Sequence, residues 1–381
     1  MSADKCAGLD ALSGAPVTIS FDRWIDSVEL GPAEPGRYLA PGWIDLQVNG
    51  FAGVDYNCPD TPHEDIARSI RVLFSSGVTR CLPTVITGGP EDMAGALRNL
   101  ADARERLREG VAIEGFHVEG PHISPEDGPR GAHPKRWVRR PDVHEFHRLQ
   151  EAARGLIRLV TLSPEWPEAP RYIEALTAEG VVVSIGHTKA TAAQLTDAVS
   201  AGATMSTHLG NGAHSVLPRH PNYLWEQMAE DRLAAGFIVD GIHLPLCFLK
   251  VALRAKGIER SILVTDASSP AGAAPGRYKL GEQEVDLTPD NRVVLAGQDR
   301  LAGSALRMER GIENLVRLCG LSLQDAVRMA TLNPARVARI PARQQGLAPG
   351  ERADVVEFRL DQGRIEVDRT WVGGELVFSR S

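Results

Sequence analysis

The sequence predicts an α/β protein, a TIM-like (β/α)8 barrel with a small β-sandwich domain assembled from both chain ends. Three observations carry this expectation. Eight short apolar runs alternate with helix-like stretches between residues 43 and 318. Polar residues collect at the ends of those runs, and the strand-like segments left over lie at the two termini. A length of 381 residues would allow two or three domains, but a barrel of this type takes about 250 in one unit.

Residues 1–40 read as short strands broken by Gly-Pro turns, of which Gly31-Pro32-Ala33-Glu34-Pro35-Gly36 is the clearest. The pattern then changes. Trp43 to Val48 is an apolar run ending in Asn49-Gly50, and a helix is expected over 61–76. Similar runs recur at 78–82, 112–118, 156–162, 181–186, 203–207, 235–239 and 261–265. Helices are expected near 91–108, 142–154, 168–179, 190–201, 223–231 and 246–256, with 304–318 after the last strand. Strands alternating with helices specify a parallel sheet, and eight of them favour closure. Segment 120–141 is a long polar loop rich in glycine and proline, a kind that commonly carries function. Beyond the turn cluster Gly346–Gly350, strands are expected at Ala353–Phe358, Glu366–Val372 and, after a Gly373-Gly374 hairpin, Glu375–Phe378. Forty residues alone hold little core, so the two ends should pair. The expected organisation is a discontinuous β domain of 1–40 and 346–381 around a barrel of 41–345.

Charge and cysteine usage exclude several classes. Forty-two basic against 49 acidic residues give a net charge of −7, with no basic block to hold nucleic acid. The one basic run, Lys135-Arg136-Trp137-Val138-Arg139-Arg140, reads as a solvated loop. Net acidity still leaves room for an anionic small molecule, which needs only a few local groups. Five scattered cysteines without a Cys-x-x-Cys pair argue against a disulfide framework. No run of eighteen apolar residues occurs and the first twenty residues lack an apolar leader, so a cytoplasmic protein that neither spans nor binds a membrane is expected.

Barrel enzymes build their sites at the C-terminal ends of the strands. Here those positions read Gln47-Val48-Asn49, His117-Val118-Glu119, His187, His208, Asp240-Gly241-Ile242-His243 and Thr265-Asp266. One histidine after a β-run is more often a strand cap than a ligand; a series at successive strand ends is not. Glu119, His187 and His208 supply one carboxylate and two imidazoles, an accepted zinc set with a fourth position open. His187 and His208, 21 residues apart, should stand on neighbouring strands, with Glu119 two strands earlier. A metal there would activate water and polarise a carbonyl. Asp266 is placed as a base, against the alternative of a helix cap. His133 in the long loop and His243 after the seventh strand are placed to hold substrate. Arg219, close to Asn211 and Gly212, could join them around a phosphate or carboxylate. His117 shares a face with Glu119, either reaching the mouth or supporting it from one layer below.

The residues carry a resemblance. The chain resembles the N-acetylglucosamine-6-phosphate deacetylases of the amidohydrolase superfamily, from Pro41-Gly42-Trp43-Ile44-Asp45 through His117-Val118-Glu119-Gly120-Pro121, Gly186-His187-Thr188, Thr207-His208-Leu209, Asp240-Gly241-Ile242-His243 and Thr265-Asp266-Ala267 to Val372-Gly373-Gly374. The resemblance implies a metal-dependent hydrolase barrel that releases acetate from N-acetyl-D-glucosamine 6-phosphate, with one divalent metal on Glu119, His187 and His208. Zinc is the first choice; iron, cobalt and manganese accept the same ligands. It implies Asp266 as the group that takes a proton from water and returns it to the leaving amine, and His133 as the carbonyl's partner. Gln47 and Asn49 stand where many relatives carry His-x-His, as a weak second-metal position or as support. Asn211, Gly212, His243 and Arg219 would hold the phosphate, the arginine crossing a homodimer interface. The chain departs from the family where Gly210 and Gly212-Ala213 replace an aromatic and Ala-Met, so the alternative expectation is another N-acyl amino sugar or small amide. A barrel that binds without turnover is disfavoured because Glu119, His187, His208 and Asp266 are all present.

Overall fold

The computed structural model describes residues 4–380. Its centre is a barrel of eight parallel strands, Trp43–Val48, Val78–Ile86, Phe116–Glu119, Ile157–Leu162, Val182–Ile185, Met205–Ser206, Ala234–Ile238 and Ser261–Val264, each paired to the next. The ring closes through backbone: Asp266 N donates to Gln47 O at 2.9 Å and Asn49 N to Ala267 O at 2.6 Å. Side chains alternate about each strand with period two. Ile44, Leu46, Leu82, Leu159, Val182 and Ile262 fill the inside, while Val118, Val160, Val183, Phe237 and Leu263 belong to the layer packed under the helices. Burial on both faces is why these strands read as continuous apolar runs. The helices sit where the 3.6-residue pattern places them. That over Ala192–Ser200 opens with a capping box, Thr191 Oγ1 accepting Gln194 N while the Gln194 side chain accepts Thr191 N.

Both chain ends join one seven-stranded sheet, in the order Glu375–Ser379, Arg364–Val372, Val355–Asp361, Arg37–Pro41, Asp4–Asp10, Pro16–Phe21, Ile25–Leu30. The sandwich is this single sheet curled on itself: Phe21 and Trp371, on strands four places apart, meet edge to face with ring centroids 5.7 Å apart. Ile19, Leu39 and Val355 complete that small core.

Sheet and barrel are joined by a buried charge cluster. The Asp354 carboxylate accepts Arg80 Nε at 2.6 Å, Arg343 Nη2 at 2.8 Å and Arg352 Nε at 2.8 Å, and Gly373 N at 2.8 Å. Arg80 comes from the second barrel strand, so the cluster ties the two units together. Burial opposes the ionised carboxylate, yet Arg343, Arg352 and Arg80 hold it well below the usual range.

Two features were not foreseen. The connection after the last barrel strand forms a three-stranded antiparallel sheet, Gly276–Leu280, Gln283–Leu287 and Val293–Leu295, and helices Leu323–Ala330 and Leu332–Val337 follow Met308–Arg317. The basic run is not a free patch, since Arg136, Arg139 and Arg140 pair with Glu282, Glu145 and Glu168. All five cysteines are free, and no helix among the described residues is long and apolar enough to cross a membrane.

Removing one partner from a buried cluster strands the others, at a cost of about 3–5 kcal/mol. Asp354→Ala should lose about that much stability in chemical denaturation of the purified protein. A loss under about 1 kcal/mol, typical of an exposed pair, would show that the arginines find water or other partners.

Candidate active site

The polar residues at the strand ends converge on the barrel mouth. Glu119 ends the third strand, while His187, His208 and Asp266 each stand two residues past the end of the fifth, sixth and eighth. These last three have positive φ, 49°, 29° and 49°. L-residues rarely adopt that region, and such strain concentrates at functional sites.

Glu119 Oε1 lies 3.0 Å from His208 Nε2 and 3.3 Å from His187 Nε2, and the two nitrogens are 3.1 Å apart. All three side chains are buried. Ligands held tetrahedrally at about 2.0–2.1 Å stand roughly 3.3 Å from one another, so the triangle has the dimensions of a zinc-type site. The chemistry of the donors agrees. His187 Nδ1 donates to Pro129 O at 2.8 Å, which turns the lone pair of Nε2 towards the triangle. Two imidazole nitrogens facing each other and one carboxylate oxygen leave a need for positive charge between them. Burial opposes ionisation of Glu119, but His187 and His208 hold its carboxyl well below the usual range.

His133 borders the triangle without completing it. Its ring centroid is 4.4 Å from that of His187, but its Nε2 is 3.9 Å from Glu119 Oε2, and its Nδ1 is engaged by Thr87 Oγ1 at 2.9 Å. Glu119, His133 and His187 also offer ligand atoms within 4.8 Å of one another; the shorter distances favour His208 as the third member. Burial pushes the His133 imidazole down to about 3, keeping it neutral.

Asp266 Oδ1 accepts Asn49 Nδ2 at 2.8 Å and Gln47 Nε2 at 3.1 Å, and the same Gln47 nitrogen donates to Glu119 Oε1 at 2.9 Å. Gln47 and Asn49 therefore present N–H groups to the carboxylates, a supporting arrangement. Burial first, then the Glu119 charge, push Asp266 up to about 6. His117 is buried one layer below: its Nε2 meets Thr161 Oγ1 at 2.8 Å, and hydroxyls of Thr161, Thr207 and Ser184 continue the chain at 2.6 Å each.

One cavity of about 140 Å³ unites Glu119, His133, His187, His208 and Asp266 with Asn211, Gly212 and His243. His243 Nδ1 is fixed by Asp240 Oδ2 at 2.6 Å. The departure at Gly212 has a physical reason, because φ is +55° and a Cβ would stand 2.7 Å from His187 Nδ1. Arg219 does not join this cavity within one chain. It lines a separate groove of about 570 Å³ with Leu217, Trp225, Phe248 and Val251. Sequence reasoning missed Thr87, the Pro129 carbonyl, and Ile86 and Leu280 on the cavity wall. For Leu280 a signal existed: Tyr278 and Leu280 alternate with Val285 and Leu287 about Gly281-Glu282, a hairpin pattern.

Residues 38–377 match the model of the Amidohydrolase family. The chain belongs to this family. It is thus a hydrolase of amide bonds with a buried carboxylate–imidazole group able to hold a metal, as this metal-dependent superfamily requires. The N-acetylglucosamine-6-phosphate deacetylase of Bos taurus is 36% identical over 354 residues, covering 90% of this chain and 84% of that protein. The N-acetylgalactosamine-6-phosphate deacetylase of Escherichia coli O157:H7 is 33% identical over 342 residues, covering 89% and 87%. A mutant of the Mycobacterium smegmatis N-acetyl-D-glucosamine-6-phosphate deacetylase, solved in complex with N-acetyl-D-glucosamine-6-phosphate, superposes with a TM-score of 0.90 at 31% identity over the whole of both chains.

Loss of His208 opens one side of the triangle. His208→Ala should weaken metal binding by more than the roughly 10–100-fold typical of losing an outer partner, measured by competition with a chromophoric chelator. Unchanged affinity would remove His208 from the ligand set.

Proposed function

We propose that this chain hydrolyses the acetamide of N-acetyl-D-glucosamine 6-phosphate to glucosamine 6-phosphate and acetate. The observation that carries this reading is the single cavity in which the Glu119–His187–His208 triangle, Asp266 and His133 lie beside the polar group Asn211, Gly212 and His243. Relatives that act on this class of substrate support it.

Glu119, His187 and His208 would hold one divalent metal, zinc by preference, which when bound polarises the scissile carbonyl and makes water a better nucleophile. Asp266, held on one oxygen by Asn49 and Gln47, keeps its other oxygen for the proton of the attacking water, which it returns to the departing nitrogen. Neutral His133, its Nδ1 paired with the Thr87 hydroxyl, would steady the oxyanion through a proton carried on Nε2. Asn211, the Gly212 N–H and the Nε2 edge of His243 take the phosphate. Within one chain Arg219 lines a different groove, so it would reach that end only from a second copy, as in a homodimer. Five free cysteines suit a cytoplasmic location. A second reading, the galactosamine epimer or another N-acyl amino sugar, is favoured by the Escherichia coli relative and by the altered Gly210 to Ala213 segment beside the cavity.

Three experiments test these assignments. Asp266→Asn should keep metal content near wild type while kcat falls about 10²–10⁴-fold; an emptied site would make Asp266 a ligand. In a panel of phosphorylated and unphosphorylated N-acetylhexosamines, kcat/KM should favour the phosphorylated glucosamine derivative. Arg219→Ala should cost about 10–100-fold on phosphorylated substrates alone. Equal kcat/KM with and without phosphate would sink the reading, and preference for the galactosamine epimer would select the second.

A further inference from the structure

We propose that Ile86 and Leu280 form a wall between the catalytic cavity and a second cavity behind it, and so limit the length of the N-acyl chain that the enzyme removes. The inference rests on the deacetylase reading and adds to it the residues that select the acyl group.

The catalytic cavity has two chemically distinct ends. Asn211, Gly212 and His243 make one end polar, whereas Ile86, Ala132, Leu280 and Leu301 supply its apolar side chains. The scissile amide has to lie between them, its carbonyl at the triangle and His133 and its nitrogen within reach of Asp266. The sugar and phosphate extend from the nitrogen towards the polar end. The acyl substituent leaves the carbonyl carbon on the other side, where burying a methyl against apolar groups is favourable.

Behind that apolar end lies another cavity, of about 210 Å³. The two cavities share Ile86 and Leu280 among their lining residues and no others. The second is also lined by Pro134 and by Thr87, whose hydroxyl holds His133 Nδ1, which places it at the back of the His133 ring. Both wall residues are buried and belong to one apolar cluster. Both are also held by the same polar knot. Ile86 N donates to Asn57 Oδ1 at 2.7 Å, and Gly281 N, next to Leu280, donates to Asp55 Oδ2 at 2.6 Å. Asn57 N in turn donates to Asp55 Oδ1 at 2.9 Å. The wall is fixed from the backbone, so an acetyl methyl reaches it and a longer chain collides with it, although space for that chain exists beyond.

The test uses metal-loaded wild type, Leu280→Ala and Ile86→Ala with N-acetyl-, N-propionyl- and N-butyryl-glucosamine 6-phosphate. One methylene in an apolar pocket discriminates by about 10–200-fold, so wild-type kcat/KM should fall at least about 10-fold per added carbon. Each truncation should raise the butyryl-to-acetyl ratio of kcat/KM by about 10-fold or more. Leu280→Val, which removes a single carbon, reports the same ratio with smaller amplitude should an alanine variant fold poorly. Variants that hydrolyse the acetyl substrate with the wild-type ratio overturn the wall while leaving the deacetylase reading intact. A wild type inert towards all three overturns both.

Discussion

Glu119 Oε1 is the atom on which the barrel mouth converges. It faces Gln47 Nε2 from the first strand at 2.9 Å, His208 Nε2 from beyond the sixth at 3.0 Å, and His187 Nε2 from beyond the fifth at 3.3 Å. A buried carboxylate is tolerated only when it is ionised against positive charge or supplied with donors. That requirement explains why the surrounding groups come as they do: an amide from one side, two imidazoles from the other, and the second carboxylate, Asp266, tied to the same amide nitrogen. Gln47 thus ties the Glu119–His187–His208 triangle to Asp266 through a single amide nitrogen.

Holding this arrangement demands backbone that the strands alone would not adopt. His187, His208 and Asp266 sit at positive φ, and each such residue costs on the order of 1–3 kcal/mol. The compensation lies elsewhere in the molecule. Barrel closure links the Gln47 carbonyl and Asn49 N–H directly to Asp266 and Ala267, and the Asp354 cluster fastens the barrel to the terminal sheet. The positive-φ residues at the mouth are thus held by backbone and ion-pair contacts distributed around it.

The loop 120–141 is held over the mouth by contacts within itself and from distant parts of the chain. Pro129 O fixes His187, Arg130 Nη1 donates to His133 O at 2.7 Å, and the inserted three-stranded sheet reaches across with Gln283 to Ala132 O and Glu282 to Arg136 and Trp137. His133 is therefore positioned by a hairpin about 150 residues away in sequence. The same hairpin delivers Leu280 to the cavity. This is why the loop histidine was legible as a candidate while its supports were not: a histidine announces its chemistry by residue type, whereas Thr87, Pro129 and Leu280 acquire theirs only from proximity.

The barrel and its polar rim are legible in local sequence pattern. Apolar runs of period-two strands between amphipathic helices are a local pattern, and residues such as Glu119, His187, His208 and Asp266 fall at strand ends by simple counting. The same pattern shows that both termini are strands in search of a partner. Which atoms meet is set by contacts between distant segments. They turn the amide nitrogens of Gln47 and Asn49 towards the carboxylates, sink His117 into a layer of hydroxyls, and separate Arg219 from Asn211 and His243 within one chain. The physical reason is that spacing along a strand fixes a side chain's face, while hydrogen-bond direction and distance depend on neighbours contributed by strands, loops and hairpins far away in the sequence.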